Sequence, residues 1–383
     1  MAVVILSSAR TPIGAFQGAL APLKASQLGA VAIAGAVERA GVAREAIDLV
    51  LFGNVLAAGT GQAPARQAAR LARLPDAVPA VTLNKVCGSG LEALVQGARA
   101  ILVGDARRVV VGGMESMTNA PYVLPGARAG LRLGHVQALD SILTDGLTDA
   151  FDGRHMGTSA ETCARAYGFD RAAQDEYAVR SYARAQVAAS DGSYAAEIVA
   201  RGLPLAVDEG PDMVDFAKLP KLRPVFEEGG TVTAANASSL NDGAAALVLA
   251  DEEMAREQGQ PMAARLVGWT VHAQAPTDFT TAPIGAMRAL FARIGWTVDD
   301  VDAFEINEAF AVVPMAAMAA LALPVERVNV FGGAVALGHP IGASGARIVV
   351  TLLNVLRRTG GRRGIASICI GGGEAWALAL ELV

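Results

Sequence analysis

The sequence predicts an α/β fold made of two similar halves, because one order of landmarks occurs twice along the chain. In each copy a strand ends near an asparagine, a glycine-rich turn leads into a helix, and a short buried strand ends in glycines. Asn54 precedes Cys87 by nearly the same number of residues as Asn307 precedes His339. Repetition of a strand-and-helix unit is typical of layered α/β folds, and the alternative is chance similarity between strand–turn–helix units.

An apolar stretch at 2–7 predicts the first strand of the chain, and the first copy of the repeat begins with an apolar strand that ends at Gly53 and Asn54. A Gly-Ser-Gly turn at 88–90 then leads into a run at 91–102 that predicts a helix. Residues 109–113 predict a buried strand that ends in glycines. Residues 244–249 predict a further strand, which returns to this half of the molecule after a long insertion.

The second copy repeats this order closer to the end of the sequence. Residues 303–307 predict a strand, and the turn at 338–345 leads into a predicted helix at 346–356. A buried strand at 368–370 is followed by three glycines at 371–373.

The segment between the two copies differs from both. It contains several prolines, a charged helical run at 171–189 and a loop rich in Asp, Glu and Pro. Long loop regions inside a compact fold commonly cover or bind a substrate. We therefore expect three parts: a first half at 1–117 with 241–262, an inserted loop domain at 118–240, and a second half at 263–383.

Length and composition exclude several classes of protein. The chain has 383 residues, 52% hydrophobic and 18% charged, which predicts more than one core and excludes disorder. Its net charge of −5 argues against a general role on nucleic acids or membrane surfaces. No apolar run of about 18 residues predicts a membrane span. Three widely separated cysteines fit neither a disulfide framework nor a zinc cluster, and they predict a reducing, cytoplasmic location.

Cys87 is the first candidate for catalysis. It lies between a predicted strand and a predicted helix, in the sequence NKVCGSG at 84–90. The free N–H groups and partial positive charge of a helix N-terminus stabilise a thiolate, so we expect its pKa to lie below the ordinary value of roughly 8.5. The alternative is a buried structural cysteine.

Three further candidates lie in the second copy. The repeat places His339 at the turn that corresponds to that of Cys87, where an imidazole can take the proton of the thiol; otherwise it is a satisfied turn histidine. Cys369 precedes a glycine turn and can carry a proton near the first thiol, or it is a small core residue. Backbone N–H groups of that turn can also receive an oxyanion. Asn307 can hold a water or a carbonyl group, or it caps a helix.

Four blocks of the sequence resemble the signature motifs of the thiolase family. They are NKVCGSG at 84–90, NEAF at 307–310, GHPIGASG at 338–345 and CIGGG at 369–373. Further matches are RTPIG at 10–14, GGMESM at 112–117 and NAS at 236–238. The blocks follow the order of the family and cover nearly the whole chain.

The resemblance implies a five-layer αβαβα sandwich of two similar halves, in agreement with the internal repeat. It also implies that Cys87 accepts the acyl group as a thioester, that His339 activates it as the base, and that Cys369 takes a proton from the methyl group of a second acetyl-CoA. Asn307 would hold a water that stabilises the enolate together with His339. The N–H groups of Cys87 and Gly371 would form a second oxyanion site.

By the same resemblance, residues 147–157 are similar to the short-chain branch of the family, which forms acetoacetyl-CoA. The residues expected to line the tunnel and the acyl pocket are His155, Met156, Ser238, Leu240, Phe279 and Phe310. Coenzyme A thioesters are the expected substrates, and neither a permanently bound cofactor nor a metal is expected.

Several positions depart from the family pattern, among them the loop around residues 211–212, which lacks the basic residue that commonly meets the CoA nucleotide. Glu374 follows the triple glycine where Met or Gln is usual, and its carboxylate either raises the pKa of Cys369 or points away from it. Ser239 replaces a usual glycine of the tunnel wall. Phe279 begins the sequence FTTAP where Met-Gly-x-Gly-Pro is usual, which leaves the preferred acyl group open.

Together these features predict an acyltransferase of fatty acid metabolism that condenses two acetyl-CoA to acetoacetyl-CoA and CoA. One alternative is a 3-ketoacyl-CoA thiolase that acts on longer or modified acyl chains. Another is a condensing enzyme of the ketoacyl-synthase type, which has no second catalytic cysteine to match Cys369. The alternative from a different class is a non-catalytic thiolase-like protein that binds acyl-CoA. The resemblance further implies a homo-oligomer, either a dimer or a tetramer of two dimers with the insertion at its centre.

Overall fold

The computed structural model describes residues 2–383 and has mixed α/β architecture. The strands are β1 Val3–Arg10, β2 Gly14–Ala15, β3 Leu49–Gly53, β4 Ala80–Leu83, β5 Arg108–Ser116, β6 Tyr122–Val123, β7 Leu139–Asp140, β8 Asn241–Asp251, β9 Ala264–Ala273, β10 Ala303–Ile306, β11 Arg363–Ile370 and β12 Glu374–Leu382. The α-helices are α1 Ala25–Ala40, α2 Pro64–Leu71, α3 Ser89–Leu102, α4 Met156–Tyr167, α5 Arg171–Ser190, α6 Glu252–Glu257, α7 Ala282–Ile294, α8 Val312–Leu321, α9 Ala334–Leu337 and α10 Ile341–Thr359. Within residues 2–383, no helix combines the length and apolar character needed to cross a membrane.

The main sheet consists of two groups of strands that meet at one short junction. Its order is β10-β11-β12-β9-β1-β8-β5-β3-β4, with β2 paired to β8. The junction is the antiparallel pair β1–β9, where Val4 lies opposite Arg265 and Ile5 opposite Ala264. In both groups the outermost strands are parallel, β3 to β4 and β5 on one side and β10 to β11 on the other. The predicted repeat is therefore present as two strand groups of similar layout.

Five layers follow from the way the helices pack on these strand groups. Helices α3 and α10 pack on each other and lie between the two groups, with α10 in contact with β5, β8, β10 and β11. Helix α1 covers the outer face of the first group, and α7 covers the outer face of the second with α8 beside it. The layer order is thus αβαβα, as expected. The middle-layer helices α3 and α10 were predicted from their glycine-rich turns, whereas no sequence motif singled out the outer helices.

Strands at the centre of the molecule are apolar on both faces because both faces are covered. In β5, Val109 and Val111 belong to the central core cluster, while Val110 and Met114 belong to the cluster beneath α1. Continuous apolar runs are typical of sheets that are buried on two sides. Strand β8 has the same character and lies between β1 and β5, which confirms the predicted return of the chain to the first half.

The segment between β5 and β8 contains irregular chain, the short β6–β7 pair, and the helices α4 and α5. The predicted charged helix is present as α5, which begins after Asp170, whose carboxylate accepts a hydrogen bond from the N–H of Ala173. Such a cap satisfies one of the free donors of the first turn.

A buried ion cluster attaches this segment to the first half. The guanidinium of Arg10, at the end of β1, donates two hydrogen bonds to Asp208 at 2.7 and 2.8 Å and one to Glu197 at 2.6 Å. All three side chains are at most 2% exposed. Because removal of one partner would leave a buried charge uncompensated, the cluster holds the inserted chain in a fixed position.

Candidate active site

A cavity of about 360 Å³ lies where both halves and the inserted segment meet. Its wall includes Cys87 from the first half together with His339 and Gly371 from the second. Apolar side chains form most of the remaining wall, including Met117, Leu147 and Ile341. An apolar cavity with a few convergent polar groups is the usual form of a small-molecule site.

Cys87 lies in a strained turn between β4 and α3. Val86, the preceding residue, has a φ of 46°, which is an unusual backbone conformation for a β-branched residue. The hydroxyl of Ser89 stabilises the turn, because it accepts a hydrogen bond from the N–H of Lys85 at 2.8 Å and donates one to the carbonyl of Val86 at 2.7 Å. Strain of this kind persists only where the surroundings enforce it, and it is common at functional sites.

The expectation of a depressed pKa for Cys87 is wrong. Burial raises the pKa of the thiol to about 11, and the charge of Glu115 acts in the same direction. The N–H groups of Gly371 and of Cys87 itself are directed at the sulfur and lower the pKa, but their effect is smaller than that of desolvation. The resting thiol is therefore protonated at neutral pH, and its reaction requires a base.

The imidazole of His339, on the same cavity wall, is the candidate for that base. The residue is 6% exposed, and burial, followed by the positive charge of Arg347, lowers the pKa of its imidazole to about 3. Its Nδ1 lies 2.6 Å from Oγ of Ser344, whose own proton is directed to the carbonyl of Pro340 at 3.0 Å. Because Ser344 has only one proton to donate, Nδ1 must carry the hydrogen of this contact. Nε2 then carries the lone pair of the imidazole, and its neighbour is Nδ2 of Asn307 at 3.5 Å.

The proton of Cys87 must therefore move as the thiol reacts. We expect the alkylation rate of Cys87 by iodoacetamide in a His339→Ala variant to rise roughly tenfold per pH unit from about pH 7 to about pH 10, because only the thiolate reacts. The wild-type protein should react faster than the variant at neutral pH, where the imidazole assists, and the two rates should converge towards the pKa of about 11. Peptide mass mapping separates this thiol from the other two. A plateau of the variant's rate near pH 7 would contradict the raised pKa.

Asn307 lies next to His339, behind the cavity wall. Its Nδ2 is 3.5 Å from Nε2 of His339, and its Oδ1 is 3.5 Å from Nη2 of Arg347. The next helix, α8, has Ala311 as its N-terminal flanking residue. The interpretation of Asn307 as a helix cap is therefore wrong, and its amide is directed towards the imidazole instead.

Cys369 is completely buried near the end of β11. It belongs to the outer core cluster of the second half, together with the cavity-wall residues Met156 and Phe310. Burial raises the pKa of the Cys369 thiol well above its usual value, and the charge of the nearby Cys87 raises it further. Cys369 is therefore not on the cavity wall but in the core cluster that contributes Met156 and Phe310 to that wall.

Glu374 points away from this second thiol. Its carboxylate forms an ion pair with Lys85, in the turn that precedes Cys87, and it is not a cause of the raised pKa of Cys369. The sequence left open whether the Glu374 carboxylate raises the pKa of Cys369 or points away from it, and in the structure it points away.

The structure places all six residues expected to contact the substrate on the wall of this cavity. They are His155, Met156, Ser238, Leu240, Phe279 and Phe310. Their fixed positions come from local contacts. The ring of His155 stacks on Phe226 at 4.7 Å, and Phe310 makes edge-on contacts with Phe226 at 5.9 Å and with Phe279 at 6.5 Å. Phe226 comes from the long irregular loop, where no motif identified it.

Ser239 supports the histidine from the wall. Its carbonyl accepts a hydrogen bond from the N–H of His339 at 3.3 Å, and its hydroxyl donates one to Oδ1 of Asn241 at 2.8 Å. Oδ1 of Asn241 also accepts from the N–H of His339 at 3.1 Å. The departure from glycine at this position thus adds a hydrogen bond behind the His339 turn.

Glu115 joins the two halves beside the site. Its buried carboxylate accepts hydrogen bonds from Nδ2 of Asn54 and from the N–H groups of Val55, Leu56 and Gly342, at 2.6 to 3.2 Å. Burial nevertheless raises its pKa to about 7. Gly342 lies in the first turn of α10, so this one side chain fixes the His339 turn relative to the first half. The motif GGMESM contained this residue without indicating its role.

Within the described residues 2–383, no group of three or more His, Cys, Asp or Glu side chains is arranged to hold a metal ion.

Comparisons with known proteins agree with this geometry. Family models described as the thiolase N-terminal and C-terminal domains match residues 3–253 and 260–382. The chain is 47% identical to acetyl-CoA acetyltransferase IA of Candida tropicalis, covering 100% of this chain and 97% of that protein. It is 48% identical to the cytosolic acetyl-CoA acetyltransferase ERG10 of Gibberella zeae, covering 99% and 98%. The crystal structure of Acat5 thiolase from Ascaris suum in complex with coenzyme A is similar over 100% of both chains, with a TM-score of 0.97 and 42% identity. The chain belongs to the thiolase family.

Proposed function

We propose that the chain catalyses the reversible Claisen condensation of two acetyl-CoA to acetoacetyl-CoA and CoA through an acetyl-Cys87 intermediate. The observation that carries this proposal is the position of Cys87 and His339 on the wall of one apolar cavity, with Cys369 directly behind it. The full-length similarity to acetyl-CoA acetyltransferases and to a thiolase bound to coenzyme A supports the same activity.

The first half-reaction transfers the acetyl group to the protein. Nε2 of His339 takes the proton of Cys87 while the sulfur attacks the thioester carbonyl of acetyl-CoA. The N–H groups of Cys87 and Gly371, which point at this sulfur, donate to the oxyanion that forms there. The C–S bond to CoA then breaks. The protonated Cys369 supplies a proton to the leaving CoA thiolate and becomes a thiolate itself.

The second half-reaction forms the C–C bond. The Cys369 thiolate removes a proton from the methyl group of a second acetyl-CoA, and its raised pKa makes it a strong base. Nε2–H of the now protonated His339, together with a water held by Asn307, stabilises the enolate oxygen. The enolate carbon attacks the acetyl thioester, and the bond to Cys87 breaks. The sulfur of Cys87 recovers its proton from His339, which restores the resting site.

The wall of the cavity favours a short acyl group. Phe226, Phe310 and Phe279 form a continuous row of rings on its side in the inserted segment and the second half. The pantetheine arm, which His155, Met156, Ser238 and Leu240 would contact, would occupy much of the same cavity of about 360 Å³ and leave little room for a long acyl chain. We therefore expect a higher kcat/KM for acetoacetyl-CoA than for 3-ketoacyl-CoA substrates with long chains, and equal values would contradict this preference.

The acyl-enzyme is tested by mass spectrometry. Incubation with acetyl-CoA should raise the mass of the protein by about 42 Da, the mass that one acetyl group adds, and peptide mapping should locate it on Cys87. Addition of CoA should remove the adduct and regenerate acetyl-CoA. Absence of an adduct under conditions in which the protein binds CoA would favour a non-catalytic acyl-CoA-binding protein instead.

We propose that the protein acts as a homo-oligomer, either a dimer or a tetramer. Strand β4 forms one edge of the sheet and exposes Val81, which is 45% exposed. The inserted segment exposes Leu131, Leu133 and Val136 close together in sequence, with Leu133 fully exposed. Open sheet edges and exposed apolar patches are typical of surfaces that bind a second chain. Light scattering of the purified protein tests this, and a monomeric mass at micromolar concentration would contradict it.

We also propose that the chain divides into three parts: a first half at 1–117 with 241–262, an inserted loop domain at 118–240, and a second half at 263–383. We further propose a cytoplasmic location and a role in fatty acid metabolism. The return of β8 to the first strand group supports the division, and the cytosolic relative supports the location. Limited proteolysis tests the division: first cleavage within 118–155 or 200–230 supports it, and first cleavage inside either strand group contradicts it. Fluorescence microscopy of the tagged protein in its own cells tests the location.

A further inference from the structure

A buried ion pair lies behind the proposed active site. Arg347 belongs to α10 and Glu305 to β10, and the two residues are 2% and 1% exposed. Nη1 of Arg347 lies 3.5 Å from Oε2 of Glu305. An arginine and a glutamate in a core are expensive to desolvate, and such a pair is often no more stabilising than apolar side chains of the same size. Because the Arg347–Glu305 pair lies beside the proposed reacting groups, we infer that it contributes to the reaction and not mainly to stability.

The Arg347–Glu305 pair is connected to His339 by one side chain, that of Asn307. Nη2 of Arg347 lies 3.5 Å from Oδ1 of Asn307, and Nδ2 of Asn307 lies 3.5 Å from Nε2 of His339. A guanidinium can only donate hydrogen bonds, so it selects the oxygen of the amide as its neighbour. The NH₂ group of Asn307 is then directed towards the imidazole. While His339 is neutral, the flipped amide would turn its oxygen to the lone pair of Nε2 and its NH₂ group to the guanidinium, so both contacts would be repulsive. Once Nε2 is protonated in the condensation step, a flipped amide would accept from Nε2–H and divert it from the enolate, and the guanidinium opposes this flip.

We propose that Arg347 is a positioning residue for the condensation step, because it fixes the amide orientation of Asn307, and that Glu305 holds its guanidinium in place. This inference rests on the proposed function, in which Asn307 serves the enolate and not the acylation of Cys87. Loss of the guanidinium should therefore affect one half-reaction much more than the other.

A second observation is consistent with this assignment. Oε1 and Oε2 of Glu305 and Nε and Nη1 of Arg347 are buried and make no direct hydrogen bond. The contact from Arg347 to Asn307 is the only side-chain hydrogen bond that the guanidinium forms within residues 2–383.

The test separates the two half-reactions in Arg347→Gln. We expect the burst of CoA released on acetylation of Cys87 to keep its rate within roughly threefold of wild type. The single-turnover rate of acetoacetyl-CoA formation from the preformed acetyl-enzyme should fall roughly tenfold to hundredfold, the range that is typical for the loss of an orienting partner. Arg347→Lys, which retains a charged donor, should recover part of this loss. An equal fall in both rates would overturn the proposal.

A double-mutant cycle shows whether Arg347 acts through Asn307. Arg347→Gln should cause no further loss of condensation when it is added to Asn307→Ala, because no amide remains to be oriented. Losses that multiply would instead mean an independent action and would overturn the proposal. The matched control is Arg358→Gln in the same helix, since Arg358 is 51% exposed and lies 3.5 Å from Asp191 at the surface; both rates should stay unchanged.

Glu305→Gln keeps the test decisive if Arg347→Gln does not fold. It preserves the size of the side chain, replaces the carboxyl group that faces the guanidinium, and should lower condensation selectively by a smaller factor. A Glu305→Gln protein that folds with both rates at wild-type values would overturn the role of this pair. A wild-type protein that never acetylates Cys87 would instead refute the proposed function itself, so the two failures are distinguishable.

Discussion

Replacement of Cys87 by alanine is expected to abolish acyl transfer from acetyl-CoA and thiolysis of acetoacetyl-CoA. No other side chain on the cavity wall, as described for residues 2–383, is a thiol. Without the covalent intermediate only binding and the oxyanion donors remain, so the rate should fall roughly 10⁴-fold or more. Thiolysis is measured by the loss of acetoacetyl-CoA, and acylation by the burst of CoA.

The matched control is Cys163→Ala, which removes a thiol from α4. Cys163 is 5% exposed and belongs to the outer core cluster of the second half, so its loss should reduce the melting temperature slightly without changing the burst. Retained binding of CoA by Cys87→Ala would show that the site is folded. A stoichiometric burst of CoA from that variant would contradict the role of Cys87.

Without substrate, the two thiols and the imidazole of the site are all neutral, because all three are buried. Burial raises the pKa of both Cys87 and Cys369 and lowers that of His339. A thiolate–imidazolium pair of the kind found in many cysteine enzymes is therefore not the resting state. The proton must move during the reaction, which ties the attack of sulfur to the arrival of a substrate that fills the cavity and excludes water.

Local features of the sequence were sufficient to predict the turns that present the reacting groups. The turn at Cys87 and the turn at His339 each precede a helix of the middle layer, α3 and α10, as predicted. The internal repeat also predicted two similar halves. These predictions succeeded because glycine-rich turns before helices depend on residues that are adjacent in the chain.

Properties that depend on distant residues were not predictable in the same way. The pKa of Cys87 was predicted in the wrong direction because a helix N-terminus is visible in the sequence and the extent of desolvation is not. Arg347 faces Asn307 only because α10 packs on β10. Phe226 reaches the cavity from an irregular loop, for which no periodicity applies. In each case the decisive contact joins parts of the chain that only the fold brings together.

Replacement of Cys369 by serine is expected to separate the two half-reactions. The hydroxyl is similar in size to the thiol but is a far weaker acid, so it neither protonates the leaving CoA efficiently nor becomes the base for the second acetyl-CoA. The acetyl-Cys87 adduct should still form, at a reduced rate, because His339 remains available to activate the nucleophile. Condensation should fall roughly 10²- to 10⁴-fold, the range that general acid–base catalysis contributes. Mass spectrometry measures the adduct, and a coupled assay measures acetoacetyl-CoA.

Cys163→Ser provides the comparison, because it introduces the same hydroxyl into the same core cluster at a position with no role in the proposed reaction. It should leave the ratio of the two rates unchanged even if it lowers stability. The contrast depends on the different positions of the two thiols, because Cys87 lies on the cavity wall whereas Cys369 is completely buried and is not part of that wall. If serine at this position slowed acetylation and condensation by the same factor, Cys369 would act on the nucleophile and not on the enolate, and the assignment of two distinct thiols to two distinct steps would be wrong.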